Sequence, residues 1–189
     1  METLEECEVN LLRIYSEKAK LETLLGSIGV SSADMIWAKD IDGRYMWANS
    51  KIISGLLFSK SLTNTVGKTD MELSDERRKS IGAENHTAGP ICADSDTIVL
   101  SKERPMKFVE TFMVNGQLLV LEVHKDVMRD AMGTIIGTVG VGRDITYEFT
   151  RLTALSKEEE IPQRFRECIS DLINRNYLGE EGGTKHGAD

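Results

Sequence analysis

Gly67, Lys68 and Thr69 imitate the end of a phosphate-binding loop, in which backbone N–H groups and a lysine cradle phosphate oxygens. The glycine that such a loop needs five residues earlier is replaced by Leu62, and no strand pattern leads in, so nucleotide binding there is set aside. Gly137, Gly140 and Gly142 spell the reverse of a dinucleotide fingerprint and sit inside a strand pattern. They read as strand glycines that let a helix or a bound ligand pack closely. His86, Cys92 and His124 are separated by irregular gaps and lack the paired spacing of a zinc site, so no metal is expected. A Ser, His and Asp relay has no GxSxG elbow to sit on. Nothing here requires catalysis, and no enzymatic activity is expected.

The elements that must position these residues follow from periodicity. Residues 1–28 carry Leu4, Leu11, Lys18 and Leu25 at one heptad position and Cys7, Ile14, Leu21 and Ile28 three residues later. So narrow a seam suits a partner helix, as in a short coiled coil, and equally a helix laid on its own domain. The helical pattern breaks from Gly26 to Asp34. Residues 35–39 and 44–49 are aromatic-rich runs around Ile41, Asp42 and Gly43, a hairpin signal. Residues 50–100 are polar, with helical spacing at Ile52, Ile53, Leu56 and Leu57, and predict short helices and loops. Residues 106–114, 117–128 and 134–141, separated by Asn115-Gly116 and a turn near Gly133, predict an antiparallel meander. Five strands interrupted by one helical block make an α+β architecture, with helices gathered on one face of the sheet. Asp144 or Thr146 would cap a following helix running to about Glu160. Pro162 then suits the first turn of another, in which Phe165, Ile169, Leu172 and Ile173 share a face up to Leu178, and residues 179–189 read as a disordered tail.

With 23 Lys and Arg against 31 Asp and Glu, the net charge is −8. A chain of this length hides roughly 70% of its unfolded surface, enough for one core without staples. The acidic balance and the lack of a long basic run argue against nucleic acid as a partner. Three scattered cysteines, Cys7, Cys92 and Cys168, read as free thiols in a reducing compartment, and neither a signal peptide nor an apolar membrane span is found, so a cytoplasmic protein without membrane partners is expected.

Several local patterns, in this order, resemble the PAS sensory domains of the S-box type. They are Asp34, then Trp37-Ala38-Lys39-Asp40, Asp42-Gly43-Arg44-Tyr45 and Asn49. Val66-Gly67-Lys68-Thr69-Asp70, Arg104-Pro105, Gly133 with Gly137, and Gly142-Arg143-Asp144-Ile145-Thr146 follow. The resemblance covers about residues 34–146 within a domain drawn at 29–146, leaving 147–178 as C-terminal helices. It implies a five-stranded antiparallel sheet with helices cupped over one face, enclosing a pocket for a small ligand or cofactor. Pocket occupancy would bias the sheet, and the terminal helices would carry the change to a signalling partner. By the same analogy Asp144 and Thr146 form the relay between the last strand and the outgoing helix.

Ligand contacts are expected from Trp37, Tyr45, Phe108 and Thr111 where their faces point inward, against the plainer reading that they pack a core. Haem-binding relatives use a helix histidine, which makes His86 the candidate haem ligand, against a solvated surface histidine. Flavin photochemistry is not expected, because Cys92 lies in Ile91-Cys92-Ala93-Asp94 rather than an Asn-Cys-Arg motif. His124 falls on the strand face opposite Leu121 and Val123 and reads as exposed. The cofactor stays unknown. Two functions remain: a ligand-sensing module that dimerises through its N-terminal helix, and a ligand-free dimerisation or docking module. The first requires a hollow interior and a last strand mechanically continuous with the exit helix.

Overall fold

The computed structural model describes residues 4–157 together with Pro162, Gln163 and Glu167. The expected tail, most of the expected 162–178 helix and Cys168 lie outside the described residues. The chain divides into two units, residues 1–33 and 34–189.

The first unit is helix α1, Leu4–Ser31. It runs through Gly26 and Gly29, where the sequence predicts a break. A glycine costs a helix only about 1 kcal/mol, and the hydroxyls of Thr23, Ser27 and Ser31 each donate to the carbonyl four residues back. Leu4, Leu11, Ile14, Leu21, Leu25 and Ile28, the apolar seam residues, are 43% to 86% exposed, and Cys7 is exposed beside them.

In the second unit, β1 (Met35–Asp40) and β2 (Tyr45–Ala48) form the first hairpin. Asp40 makes its turn, its Oδ1 accepting the N–H groups of Asp42 and Arg44 while Gly43 takes a φ of 74°. The helical block follows as α2 (Ser50–Ile52), a π turn over Ile53–Leu57, α3 (Leu62–Thr65), α4 (Asp70–Ile81), a short 3₁₀ turn over Ala83–Asn85 and α5 (Ala88–Lys102). Strands β3 (Met106–Val114), β4 (Gln117–Arg129) and β5 (Ile135–Asp144) complete the sheet, and α6 spans Thr146–Leu155. The β4–β5 turn repeats the first device: Asp130 Oδ1 accepts the N–H groups of Met132 and Thr134, with Gly133 at a φ of 83°.

The sheet has five antiparallel strands in the order β2-β1-β5-β4-β3. Each of its edge strands is bonded at one end to the helical block, which shortens the open edge. At β2, Tyr45 N–H donates to the Lys68 carbonyl and Gly67 N–H to the Tyr45 carbonyl. At β3, Thr87 N–H donates to the Met113 carbonyl, Thr87 Oγ1 accepts from Met113 N–H, and His86 bridges to Val114. Asn49 ties the hairpin to the helical block: its Oδ1 accepts from Ile36 and Ile52, and its Nδ2 donates to the Asp34 carbonyl.

Candidate functional site

Strand alternation decides which side chains enter the space between sheet and helices. Met35, Trp37 and Lys39 share the buried face of β1, Phe108, Glu110, Phe112 and Val114 that of β3, and Leu121, Val123 and Lys125 that of β4. Each of these strands thus delivers one charged side chain in phase with apolar neighbours. On α5, Cys92, Ser95, Asp96 and Val99 recur at helical spacing and are all buried. Asp70 arrives by a different device. Gly67 turns at a φ of 81°, and Thr69 caps α4 in a reciprocal capping box with Glu72, so Asp70 becomes the first residue of the helix.

These residues make one network. Lys39 Nζ donates to Asp70 Oδ2, and to Asp96 Oδ2 at 2.6 Å. Lys125 Nζ donates to Ser95 Oγ at 2.6 Å, to Asp96 Oδ1 at 2.7 Å and to the Cys92 carbonyl at 3.2 Å, and lies 3.4 Å from Glu110 Oε1. Tyr45 donates its hydroxyl to Asp70 Oδ1 at 2.7 Å. Ser95 Oγ donates to Glu110 Oε1, and the Cys92 thiol points at Oε2 from 3.9 Å. Asp70, Lys39, Asp96, Lys125 and Glu110 therefore form a line of alternating charge, none more than 5% exposed, with three carboxylates against two ammonium groups.

Burial alone would push both lysines toward the neutral form. At Lys39 the carboxylates of Asp70 and Asp96 more than offset it and hold the ammonium above its usual range, and Glu110 and Asp96 do the same for Lys125. Burial likewise opposes ionisation of Asp96, but Lys39 and Lys125 hold it below the usual carboxylate range. Burial and Asp70 push the Tyr45 phenol up; burial and Glu110 push up the Cys92 thiol. Tyr45 and Cys92 are therefore neutral donors at physiological pH.

The aromatic residues frame the network. Lys39 Nζ lies 4.8 Å from the Tyr45 ring centroid and Lys125 Nζ 5.7 Å from that of Trp37. The Trp37 indole lies across β5, where a Cβ on Gly140 would stand 2.3 Å from Trp37 Cζ2, so the close neighbour of this strand glycine is an indole from the adjacent strand in place of the helix or ligand expected. Trp37 Nε1 is buried without a hydrogen-bond partner among the described residues.

Of the residues expected to contact ligand, the structure brings Trp37 and Tyr45 to the network and buries Phe108 on the same sheet face. Thr111 is a correction: it falls out of phase with Phe108 and Glu110 and is exposed on the opposite face. His86 is 2% exposed rather than solvated, because its segment is stitched to the edge of β3. Burial, Arg77 and Arg78 push its imidazole below the usual range. Its Nδ1 is buried without a hydrogen-bond partner among the described residues, and neither of the hollows around Val139 and around Arg77 is lined by it. Among the described residues no group of three His, Cys, Asp or Glu side chains is placed to hold a metal ion.

A hollow apolar interior is also corrected: between Trp37, Tyr45 and α5 the space is occupied by the ionic network. Two hollows among the described residues lie elsewhere. One, of about 400 Å³, opens on the outer sheet face around Lys107, His124, Val139 and Val141. The other, of about 290 Å³, lies among the helices around Phe58, Lys68 and Arg77.

The junction to α6 is continuous, as the relay requires. Strand β5 ends at Asp144 and α6 begins at Thr146. Asp144 Oδ1 accepts the Thr146 N–H at 2.9 Å, while Thr146 Oγ1 accepts the Val120 N–H at 2.9 Å and so fastens the helix root to β4 instead of capping it. Ile145 N–H donates to the Val120 carbonyl at 2.9 Å.

Sequence reasoning missed Lys39, Asp70, Asp96, Glu110 and Lys125 as site residues. The available signal was a charged residue in phase with an apolar repeat, as in Leu121, Val123, Lys125 and in Cys92, Asp96, Val99.

A sheet ordered 2-1-5-4-3, with short helices over one face and an exit helix rooted in its last strand, defines a single α+β class of module. The family model described as PAS fold matches residues 30–148, more than half of the chain, and the chain belongs to that family. Among solved structures it is similar to the Vibrio cholerae VqmA dimer described in the absence of target DNA (21% identity over 69% of this chain and 52% of that one, TM-score 0.53). It is similar also to the Vibrio cholerae VqmA–ligand–DNA complex (21% identity, 76% and 63% covered, TM-score 0.52). A phage VqmA–DPO complex shares 16% identity over 88% of this chain and 84% of that one, with a TM-score of 0.51. These likenesses show the fold, and the chain spans 52% and 63% of the length of the first two VqmA chains. No curated protein matches the sequence.

The exclusion of nucleic acid on grounds of acidic charge is overturned by the complex of VqmA with ligand and DNA, a protein of the same fold. Net charge is summed over one stretch of polypeptide, whereas nucleic-acid contact depends on a local surface and on the assembly that carries it. No helix among the described residues is long and apolar enough to cross a membrane.

Proposed function

We propose that this chain is a ligand-sensing PAS module in which a small polar molecule, admitted by exchange of ion-pair partners and not into the preformed hollow that the sequence predicts, takes over partners within the network of Lys39, Asp70, Asp96, Lys125 and Glu110. The observation that carries this reading is that each buried lysine is shared between two carboxylates. A polar ligand can replace one of them without leaving an ammonium bare, and leaving it bare is the costly alternative. VqmA structures bound to DPO, and to ligand and DNA together, support the use of this fold as a ligand receptor.

A ligand that displaces Glu110 or Asp96 from Lys125 alters the packing of β4. The same strand holds the root of α6 through Val120, Ile145 and Thr146. The equilibrium moves only as far as the ligand's affinities for the two arrangements differ. The exposed seam of α1 supplies the homodimer, and the exit helix presents the change to a signalling partner.

A thermal-shift screen of the full chain against a library of small polar metabolites tests this reading. A compound that binds the folded state raises the melting temperature by mass action, and its effect is expected to vanish in Asp96→Asn. One observation favours the ligand-free dimerisation module instead: all five charged groups already have partners inside the chain. Uniformly flat shifts, with deletion of residues 1–28 turning a dimer into a monomer, would establish that reading and reject ligand sensing.

A further inference from the structure

We infer that the hollow on the helical side of the domain is a second binding site, for a small organic dianion of the phosphomonoester type. Its volume is about 290 Å³, sized for a small molecule. The buried side chains of Leu57 and Leu73 contribute the apolar part of its lining. The rim carries Lys60, Lys68 and Arg77 against one carboxylate, Glu76, an excess of two positive charges in a chain whose net charge is −8.

Two of these cations are held in place before any ligand arrives. Arg77 Nε donates to Asn115 Oδ1 at 2.8 Å, and its guanidinium lies 5.0 Å from the centroid of the Phe58 ring. Lys68 Nζ donates to both carboxylate oxygens of Glu76, at 2.8 and 2.9 Å. Lys60 is exposed and has no ion-pair partner among the described residues. Phe58, at the mouth, is held in the left-handed region with a φ of 48°, an uncommon conformation for an aromatic residue. An anchored guanidinium, two ammonium groups and an apolar lining suit a phosphoryl group on a short carbon body.

The site touches the ionic network through the chain itself. Lys68 and Leu73 flank Asp70, and the Lys68 carbonyl accepts the N–H of Tyr45. Occupancy of the hollow therefore bears on the elements that hold both Tyr45 and Asp70.

The test is titration of the full chain with phenyl phosphate, followed by amide chemical shifts and calorimetry, with phenol and inorganic phosphate as controls. Saturable binding of phenyl phosphate is expected, with shifts at Lys68, Leu73 and Arg77 and affinity at least about tenfold above either control. The exposed substitution Lys60→Glu, which brings the rim to charge balance, is expected to weaken it about tenfold or more, in keeping with loss of a charge-assisted contact. Phenyl phosphate that fails to bind, binds no better than inorganic phosphate, or binds Lys60→Glu equally well overturns the assignment. Arg77→Gln, checked by its circular dichroism for a native fold, is a second variant expected to lower affinity, and unchanged affinity there likewise overturns it.

Discussion

Replacing Lys125 with Met removes one of two cations that face three carboxylates while keeping an unbranched side chain of similar length. In the native network Lys125 Nζ has Asp96 at 2.7 Å, Ser95 at 2.6 Å and Glu110 at 3.4 Å, with the lysine 2% exposed. Without it Asp96 retains Lys39, but Glu110 keeps only the hydroxyl of Ser95 and the thiol of Cys92. Removing one partner of a buried ion pair costs about 3–5 kcal/mol. For a domain of this size, about 1 kcal/mol moves the melting temperature by roughly 2–4 °C, so a fall on the order of 10 °C is expected. Glu110→Gln has a different sign of charge change: it leaves two carboxylates facing two ammonium groups, and the amide oxygen still accepts from Ser95. Its cost is expected to stay below about 1.5 kcal/mol, the scale of one hydrogen bond. The double variant should be more stable than the sum of the two losses predicts, since the single changes share a contact. Thermal melts followed by circular dichroism measure all three. Equal losses from Lys125→Met and Glu110→Gln, or a Lys125→Met protein that melts with the native one, would refute the charge reasoning.

In the folded chain burial and Glu110 hold the Cys92 thiol protonated, whereas an unfolded thiol ionises near about 8.5. The folded state then holds the extra proton, so stability falls as pH rises past about 8.5 by up to about 1.4 kcal/mol per pH unit. Cys92→Ala should remove that step in denaturant midpoints measured from about pH 7 to 10, leaving the losses from Tyr45 and the lysines, which begin at about 10 and above. Asp96, held below its usual range, contributes stability that is present above about pH 3.9 and is lost as pH falls further, so acid unfolding should shift to higher pH in Lys39→Met. Gly140→Ala places a methyl 2.3 Å from the Trp37 ring and should cost about 1–3 kcal/mol with a changed tryptophan emission, while Gly142→Ala, at 3.3 Å, should cost less. Thr146→Val leaves the Val120 N–H without its acceptor and should speed amide exchange in α6, whereas Asp144→Ala, at an exposed contact, should change global stability by no more than about 1 kcal/mol.

The sheet was legible because its signals are local. Asp40 with Gly43, and Asp130 with Gly133, make turns whose hydrogen bonds close within five residues. Asn115 and Gly116 at φ values of 52° and 74° supply the tight turn between β3 and β4. The continuous root of α6 was legible for the same reason. Helix α1 exceeded its predicted end because a glycine penalty is small against an otherwise regular helix. The ionic network was not legible, because its meaning depends on partners 15 to 57 residues apart. A lysine in phase with Leu121 and Val123 gives no sign of its partner until the fold brings Asp96 to it. Thr111 failed for the opposite reason: an apolar-rich strand offers two faces, and only the burial of Phe108 and Glu110 fixes which one points in.

The position of the network matters more than its contribution to stability. Its five charged side chains come from β1, β3, β4, α4 and α5, so no two of them belong to one element. An apolar core tolerates small displacements because its contacts have no direction, whereas an ammonium placed between two carboxylates must move with both or exchange one of them. Desolvation offsets most of the Coulomb gain of such groups, so alternative pairings of the same five groups need differ little in free energy. That is the condition under which a weakly binding small molecule can change the arrangement. Because Lys125 and Val120 lie on one strand, and Val120 holds both Ile145 and Thr146, an exchange at the lysine reaches the root of α6 through a single element.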